Sequence, residues 1–485
     1  MIRSKQKNMQ QHSRFPVLFA GLLWMAMLSS CKKNTTETLP SLPVPQGTPL
    51  TLVLHPDQQG DAIPATFTGF SYETSALTDG NFLSPGNTAL IQLIRNLGQG
   101  YLRVGGNSSD NLVWTGGPRD AQTGKDSLTT TDIDHFAAFA NAVGWPVVFG
   151  LNMGVFDLSR ATAEAGYLNS SSLKNNIAYL QSGNEPDLFA GNGHRSSTYQ
   201  LTDYENQWEQ YYNVIKSSKL SFPFAGPDVA YNTKWTAGFS AAESHNIGLL
   251  TAHYYRTGPA SDTSITYKTI LANDAHLPTY LDALNNTAKT YQLPYRIAEC
   301  NSVYSGGRKG VSDVFASALW ALDFMWTAAT HHCQGVNFHG GQGGAYTPIA
   351  ISNGVPEARP EYYAQLAFHA GAVGQLIPAS LTSTPLNLSA FACTAAGAEY
   401  VTIINKEEQQ AIALTIQPGI KAQSAQLMAL TAPGLTSASG VSFAGSQPDA
   451  SGNFTPQKSQ VYAPSNGNFV VTIPAASAMV IVIKQ

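Results

Sequence analysis

Apolar positions in the middle of the chain follow two rhythms that take turns. Short β-rich runs recur from about Phe67 to Gly341, and stretches with the three-to-four spacing of amphipathic helices lie between them. The runs are Phe67–Thr74, Gly100–Asn107, Pro146–Met153, Ile177–Glu185, Phe222–Val229, Ile247–Tyr255, Tyr295–Asn301 and Gly335–Gly340. Thr202–Ser217 and Val311–His331 are good helical patterns. Eight strands alternating with helices over roughly 280 residues predict a parallel sheet closed into a (β/α)8 TIM barrel. An open doubly wound sheet is the alternative, but no strand here leads into GxGxxG or a phosphate loop.

Past about Ala372 the helical period disappears. Short alternating runs replace it: Glu399–Ile404, Ala411–Ile416, Gln426–Thr431, Asn468–Ile473 and Ala478–Lys484, divided by Gly, Ser, Pro and Asn. This predicts an antiparallel β-sandwich over 373–485 behind a barrel over 65–372. Leu50–Leu54 is strand-like too, and segment 48–64 is expected to cross over and join the sandwich.

The N-terminus must be set apart before the fold is counted. Arg3, Lys5, Lys7 and Arg14 precede the apolar stretch Phe15–Leu28, which has signal-peptide length and is short for a membrane-spanning helix. It ends in Leu28-Ser29-Ser30-Cys31, which resembles a bacterial lipobox. The expectation is a lipoprotein leader over 1–30, lipid attachment at Cys31 and a flexible tether over 31–47. The chain would then be extracytoplasmic, held to a bacterial membrane in the periplasm or at the cell surface.

Removing that leader takes away four basic residues and no acidic one, so the net charge moves from −4 to −8. Such a balance argues against nucleic acid as a partner and disfavours an endo-acting grip on a sulfated glycan. Cys300, Cys333 and Cys393 remain at irregular spacing, which makes neither a disulfide framework nor a zinc site and leaves a single bridge open. His331 and His332 close a helix and point apart, so they do not form a metal pair.

Barrel enzymes place their chemistry at the C-terminal ends of the strands. The fourth run ends Ser182-Gly183-Asn184-Glu185-Pro186-Asp187 and the seventh ends Ala298-Glu299-Cys300-Asn301-Ser302. Strands four and seven lie across a barrel, so their glutamates can flank a sugar. One carboxyl would protonate the leaving oxygen while the other attacks or activates water at the anomeric carbon. Arg103 could orient a carboxylate or make a structural ion pair. His253, Tyr255 and His339 end the sixth and eighth strands and are expected to line the pocket. Cys300 should face the helix layer while Glu299 faces the mouth.

Asn184-Glu185-Pro186 on the fourth strand, with a glutamate closing the seventh, resembles the clan of retaining hydrolases built on this barrel. Within it the chain is similar to glycoside hydrolase family 79, the β-glucuronidase and heparanase family, and to its bacterial exo-acting members. The segments that carry the likeness are Phe70–Glu73, Leu102–Gly106, Gly183–Asp187 and Glu299–Gly310, followed by Val311-Ser312-Asp313. The resemblance implies Glu185 as acid/base, Glu299 as nucleophile and Asn184 on the sugar 2-hydroxyl. It implies that Tyr304, Gly306 and Tyr346 hold the sugar carboxylate, and it brings Glu73 into the pocket. No cofactor or metal is implied; the partners are a glucuronic acid-containing glycan or glucuronide and, through the anchor, a membrane.

The resulting expectation is a retaining exo-β-glucuronidase acting by double displacement. A 4-O-methyl-glucuronidase, a neutral-sugar β-glycosidase or an endo-acting heparanase-like hydrolase on the same barrel stays open, as does a catalytically inactive glycan-binding lipoprotein.

Overall fold

In a computed structural model that describes residues 39–119, 127–457 and 459–485, all eight expected runs form strands. In chain order the barrel strands are Gly69–Glu73, Tyr101–Gly105, Val147–Leu151, Ile177–Ser182, Ala225–Val229, Leu249–Thr257, Tyr295–Val303 and Val336–Gly340. They pair in parallel in the order fourth, third, second, first, eighth, seventh, sixth, fifth. A Leu180–Phe224 bridge joins fourth to fifth, where the Leu180 amide donates to Pro223 O at 2.9 Å, and this closes the ring. All nine residues of the seventh strand are buried, because side chains fill the barrel on one face and helices cover the other.

The helices start and stop where local chemistry dictates. Thr129 and Asp132 form a reciprocal capping box ahead of Thr130–Val143, and Gly144 at φ 82 ends that helix in the left-handed region. The helix expected from Val311 begins at Phe315 instead, since Val314 keeps an extended backbone as its N-cap.

The C-terminal part is two sheets. One orders Ala379–Leu381, Thr48–Leu54, Ile412–Gln417 and Phe469–Ile473. The other runs Gln375–Ile377, Leu388–Ala395, Ala398–Asn405, Ser477–Lys484, Ser424–Thr431 and Ser442–Phe443. Leu52, Ile412, Leu414, Ile416, Val471 and Ile481 are among the residues that fill the space between them. Thr48–Leu54 does cross over, and it pairs in parallel with Ile412–Gln417, so the sandwich is not wholly antiparallel. Leu388–Ala395 escapes sequence reading because its Ala and Ser content has little strand preference; eight successive pairs with Ala398–Asn405 hold it extended. Trp326 stacks on Phe391 at 5.4 Å and 7°, and Lys406 meets Asp323 at 2.6 Å, where sandwich and barrel join.

Cys300, Cys333 and Cys393 are all free and buried, so no bridge forms among them. Cys31, with the leader and the tether as far as residue 38, lies outside the described residues. Among the described residues no helix is long and apolar enough to cross a membrane.

Candidate active site

Two backbone irregularities bring the chemistry together. The seventh strand slips register against both neighbours between Ile297 and Cys300, which re-aims Glu299 into the mouth. The fifth slips between Pro227 and Val229, around Asp228 at φ 64. Glu185 is also left-handed, at φ 49, as N-cap of the short turn Pro186–Leu188. Left-handed non-glycine residues cost roughly 1 kcal/mol or more and collect at functional sites. Here the Glu185 amide donates to Asp228 O at 2.9 Å, so each strained residue helps to hold the other.

Arg103 sits at the centre, fully buried. Its Nη1 donates to Glu299 Oε2 at 2.7 Å and Ser71 Oγ at 2.8 Å; its Nη2 donates to Asn184 Oδ1 at 2.7 Å and Asp228 Oδ2 at 2.6 Å. Arg103 thus makes buried ion pairs with both Glu299 and Asp228, and both roles expected of it stay open. Tyr255 donates its hydroxyl to the other oxygen of Glu299 at 2.7 Å. His339 lies 3.4 Å from Glu299 Oε2, 3.5 Å from Glu73 Oε1 and 3.0 Å from Ser71 Oγ. Burial pushes the Glu299 carboxyl up, but His339, His253, Arg103 and the Tyr255 hydroxyl outweigh it and hold Glu299 well below the usual range. It is a carboxylate at neutral pH.

Glu185 Oε1 is 2.9 Å from His253 Nδ1, while His253 Nε2 lies 3.1 Å from Asp228 Oδ1, a close ionic contact without hydrogen-bond alignment. Burial lowers His253, but Asp228 and Glu299 raise it well above the usual histidine range, so it is an imidazolium and donates to Glu185. Burial likewise pushes Asp228 up, and Arg103 and His253 pull it far below the ordinary value. Gln181 Nε2 completes its shell at 2.8 Å.

Asn184 is buried, its amide nitrogen 3.2 Å from Asn107 Oδ1 and its backbone amide on Asp110 Oδ2 at 2.9 Å. Asp110 also takes the amides of Met153 and Gly154, tying the second, third and fourth strand ends together. Glu73 accepts from the Ser108 amide at 2.8 Å and hydroxyl at 2.5 Å. A Cβ on Gly106 would come within 2.5 Å of the Glu73 carboxyl, so glycine is required there.

A pocket of about 590 Å³ opens over this network. Eight of the expected residues line it: Glu73, Glu185, Tyr255, Glu299, Tyr304, Gly306, His339 and Tyr346. Asn184, Arg103 and His253 lie buried beneath. Tyr304 is 42% exposed, its ring set edge-on to Tyr255 at 6.3 Å. Tyr346 is nearly buried, its ring 6.3 Å from that of Tyr255 and 6.0 Å from that of His339. Gly306 sits at φ 89, and a Cβ there would meet nothing within 4 Å, so the backbone angle rather than crowding calls for glycine. Glu185, His253 and Glu299 bring donor atoms within 4.8 Å of one another, a set that could hold a metal ion by distance alone. Arg103 and a charged His253 already supply the positive charge there, which disfavours a second cation.

Against known families, residues 71–325 match the model described as glycosyl hydrolase family 79, N-terminal domain. The chain belongs to glycosyl hydrolase family 79. It is 27% identical over 355 residues to a β-glucuronidase of Aspergillus niger, a match covering 64% of this chain and 65% of that protein. A β-glucuronidase of Neurospora crassa is 26% identical over 356 residues, covering 62% of each. The chain thus matches less than two thirds of either relative's length. Among solved structures, a 4-O-α-L-rhamnosyl-β-D-glucuronidase from Fusarium oxysporum aligns over 89% of this family 79 chain and all of its own, with TM-score 0.70 and 18% identity. An α-L-arabinofuranosidase from Thermotoga maritima aligns over 90% of this chain and all of its own, at TM-score 0.68 and 15% identity. These likenesses support the barrel-and-sandwich fold.

Sequence reading missed Asp228 and Asp110, the acids that organise the rest. Asp228 stands inside the run Phe222–Val229 as an acid at the end of an apolar strand, and that position was the available signal.

Proposed function

We propose that this chain is a retaining exo-β-glucuronidase that removes terminal β-linked glucuronic acid. The observation that carries the mechanism is the approach of a Glu185 oxygen to within 4.8 Å of a Glu299 oxygen. This agrees with the short carboxyl separation of retaining enzymes, about 5–5.5 Å, and leaves no room for the water an inverting enzyme holds between its carboxyls. Glu299 attacks C1 as the C1–O bond breaks, and Glu185 gives its proton to the departing oxygen. The glycosyl ester then opens when Glu185, now a carboxylate, takes a proton from water and the hydroxide adds to C1, freeing Glu299. Asn184 has its side chain fixed by Arg103 and Asn107, poised for a sugar 2-hydroxyl. Product NMR should show the β-anomer first; an initial α-product would overturn the mechanism.

Tyr304, Gly306 and Tyr346 support the uronate assignment, since hydroxyls and a backbone amide on one wall can bind a carboxylate at C5. With Tyr304→Phe and Tyr346→Phe combined, glucuronide kcat/KM should fall by about tenfold per lost bond while any glucosidase activity barely changes. Equal loss on both substrates would remove the uronate reading.

The motif at Cys31 supports lipid anchoring outside the cytoplasm. Cys31→Ala should shift the protein from the membrane fraction to the soluble one or stall its processing; an unlipidated mature N-terminus beyond Cys31, seen by mass spectrometry, contradicts the anchor.

A further inference from the structure

The pocket has two unlike walls. One, after the seventh and eighth strands, carries Tyr304, Gly306 and Tyr346; the other, after the fourth and fifth, carries Leu188, Ala230 and Tyr231. From the second wall we infer a leaving-group subsite that takes a flat, uncharged ring stacked against Tyr231. The inference rests on the glycosidase reading of this pocket, because a leaving group must depart on the side of its acid, Glu185.

Three observations carry it. Tyr231 keeps 48% of its surface exposed and Leu188 41%, an apolar pair open to solvent beside the acid. Tyr231 is nevertheless fixed: its ring lies on Tyr280 at 4.3 Å and 15°, and the Tyr280 hydroxyl donates to His253 O at 2.8 Å. Asp187 Oδ1 accepts from the Ala230 amide at 3.0 Å, joining the loops that present Leu188 and Tyr231. A preset aromatic surface stacks on a planar partner at little entropic cost.

The charge around the pocket then selects among partners. Its lining among the described residues includes Glu73, Glu185 and Glu299 but no Lys or Arg. A sulfated or carboxylated leaving group would meet those carboxylates, while the nearby basic side chains, Arg103, His253 and His339, are already set against Glu299, Glu185 and Glu73. The shared chemistry is therefore a neutral ring, either an aryl group or the apolar face of an uncharged pyranose.

The test uses the full chain carrying Glu299→Gln, so that glycosides bind without turnover, alone and combined with Tyr231→Ala or Tyr231→Phe. Calorimetry compares phenyl and methyl β-D-glucuronide, which share the glycosyl group and differ in the ring. Phenyl should bind roughly three- to tenfold tighter, the range that aromatic stacking supplies. Tyr231→Ala should abolish that difference and Tyr231→Phe should keep it. A glucuronyl disaccharide ending in a neutral hexose should lose affinity with Tyr231→Ala if the pyranose face is a source, and its 6-sulfated form should bind more weakly in either case. Equal binding of phenyl and methyl, or equal weakening of both by Tyr231→Ala, overturns the subsite. If only phenyl and methyl β-glucosides bind, the glucuronide reading fails and the same ratio on the glucosides decides the subsite. Binding of none of the four overturns both.

Discussion

Among the described residues of the barrel two arginines are buried, one at each end, and they are put to opposite uses. Arg103 at the mouth holds two carboxylates, Glu299 and Asp228. Arg296 at the base meets neutral acceptors: the carbonyls of Thr66, Phe67, Thr68, Gln334 and Val336, the Asn337 side chain, and the face of Tyr101 at 4.7 Å. Burial lowers both guanidiniums. At the mouth Asp228 and Glu299 reverse the effect and raise Arg103, whereas Arg296 falls to about 10. Arg296 laces together the entry to the first strand and the starts of the seventh and eighth, a structural task. Arg103 directs the same charge to Glu299 and Asp228. Burial alone therefore says little about a residue's use; its partners decide.

The largest expected contrast comes from removing each cation. Arg103→Met strips Glu299 and Asp228 of their shared partner, and kcat/KM should fall by about 10²–10³-fold, the loss typical of one essential electrostatic contact. Its acid limb should also move to higher pH, because Glu299 no longer has Arg103 to hold it ionised. Arg296→Met should lose roughly 2–4 kcal/mol of stability through unsatisfied carbonyls, while kcat/KM per folded molecule stays within about twofold. Chemical denaturation beside steady-state kinetics on both variants would erase the distinction if the profiles matched.

A smaller effect is expected from Asp228→Asn, which keeps the shape but removes the charge between Arg103 and His253. Misplacing both glutamates slightly should lower kcat by about 10²-fold with little change in KM. Loss of KM alone would instead make Asp228 a binding residue.

The smallest is a pH dependence of stability. Asp228 and Glu299 are both depressed from ordinary values of 3.8 and 4.5. Their contribution is full above those unfolded values and is lost as pH falls through the lower folded ones. The contribution of these two groups should hold from neutrality to about pH 5 and then fall, so the acid drop in Tm should be less steep in Asp228→Asn. An unchanged acid slope in that variant would show that Asp228 is not depressed.

Strand positions and the two glutamates were legible because period and strand-end location are local properties. The network was not. Asp228 acts through Arg103 and His253, 125 residues before it and on the neighbouring strand after it, and only closure of the ring brings these together. Arg296 reads as one polar residue at the start of an apolar strand, and its six acceptors come from elsewhere in the chain or from backbone that carries no sequence signal. Leu388–Ala395 was hidden for a related reason, since its strand character comes from its partner.

The early strand Thr48–Leu54 has a consequence for how the molecule is made. Its Thr51 amide bonds Thr382, 331 positions later, and its neighbour on the other side is later still. At synthesis rates of about 5–20 residues per second it waits roughly 15–65 seconds, with its edges unpaired, before either neighbour exists. The barrel can close meanwhile, but the sandwich cannot. The last domain to form is thus seeded by one of the first segments to emerge, and aggregation during synthesis should begin at that waiting edge.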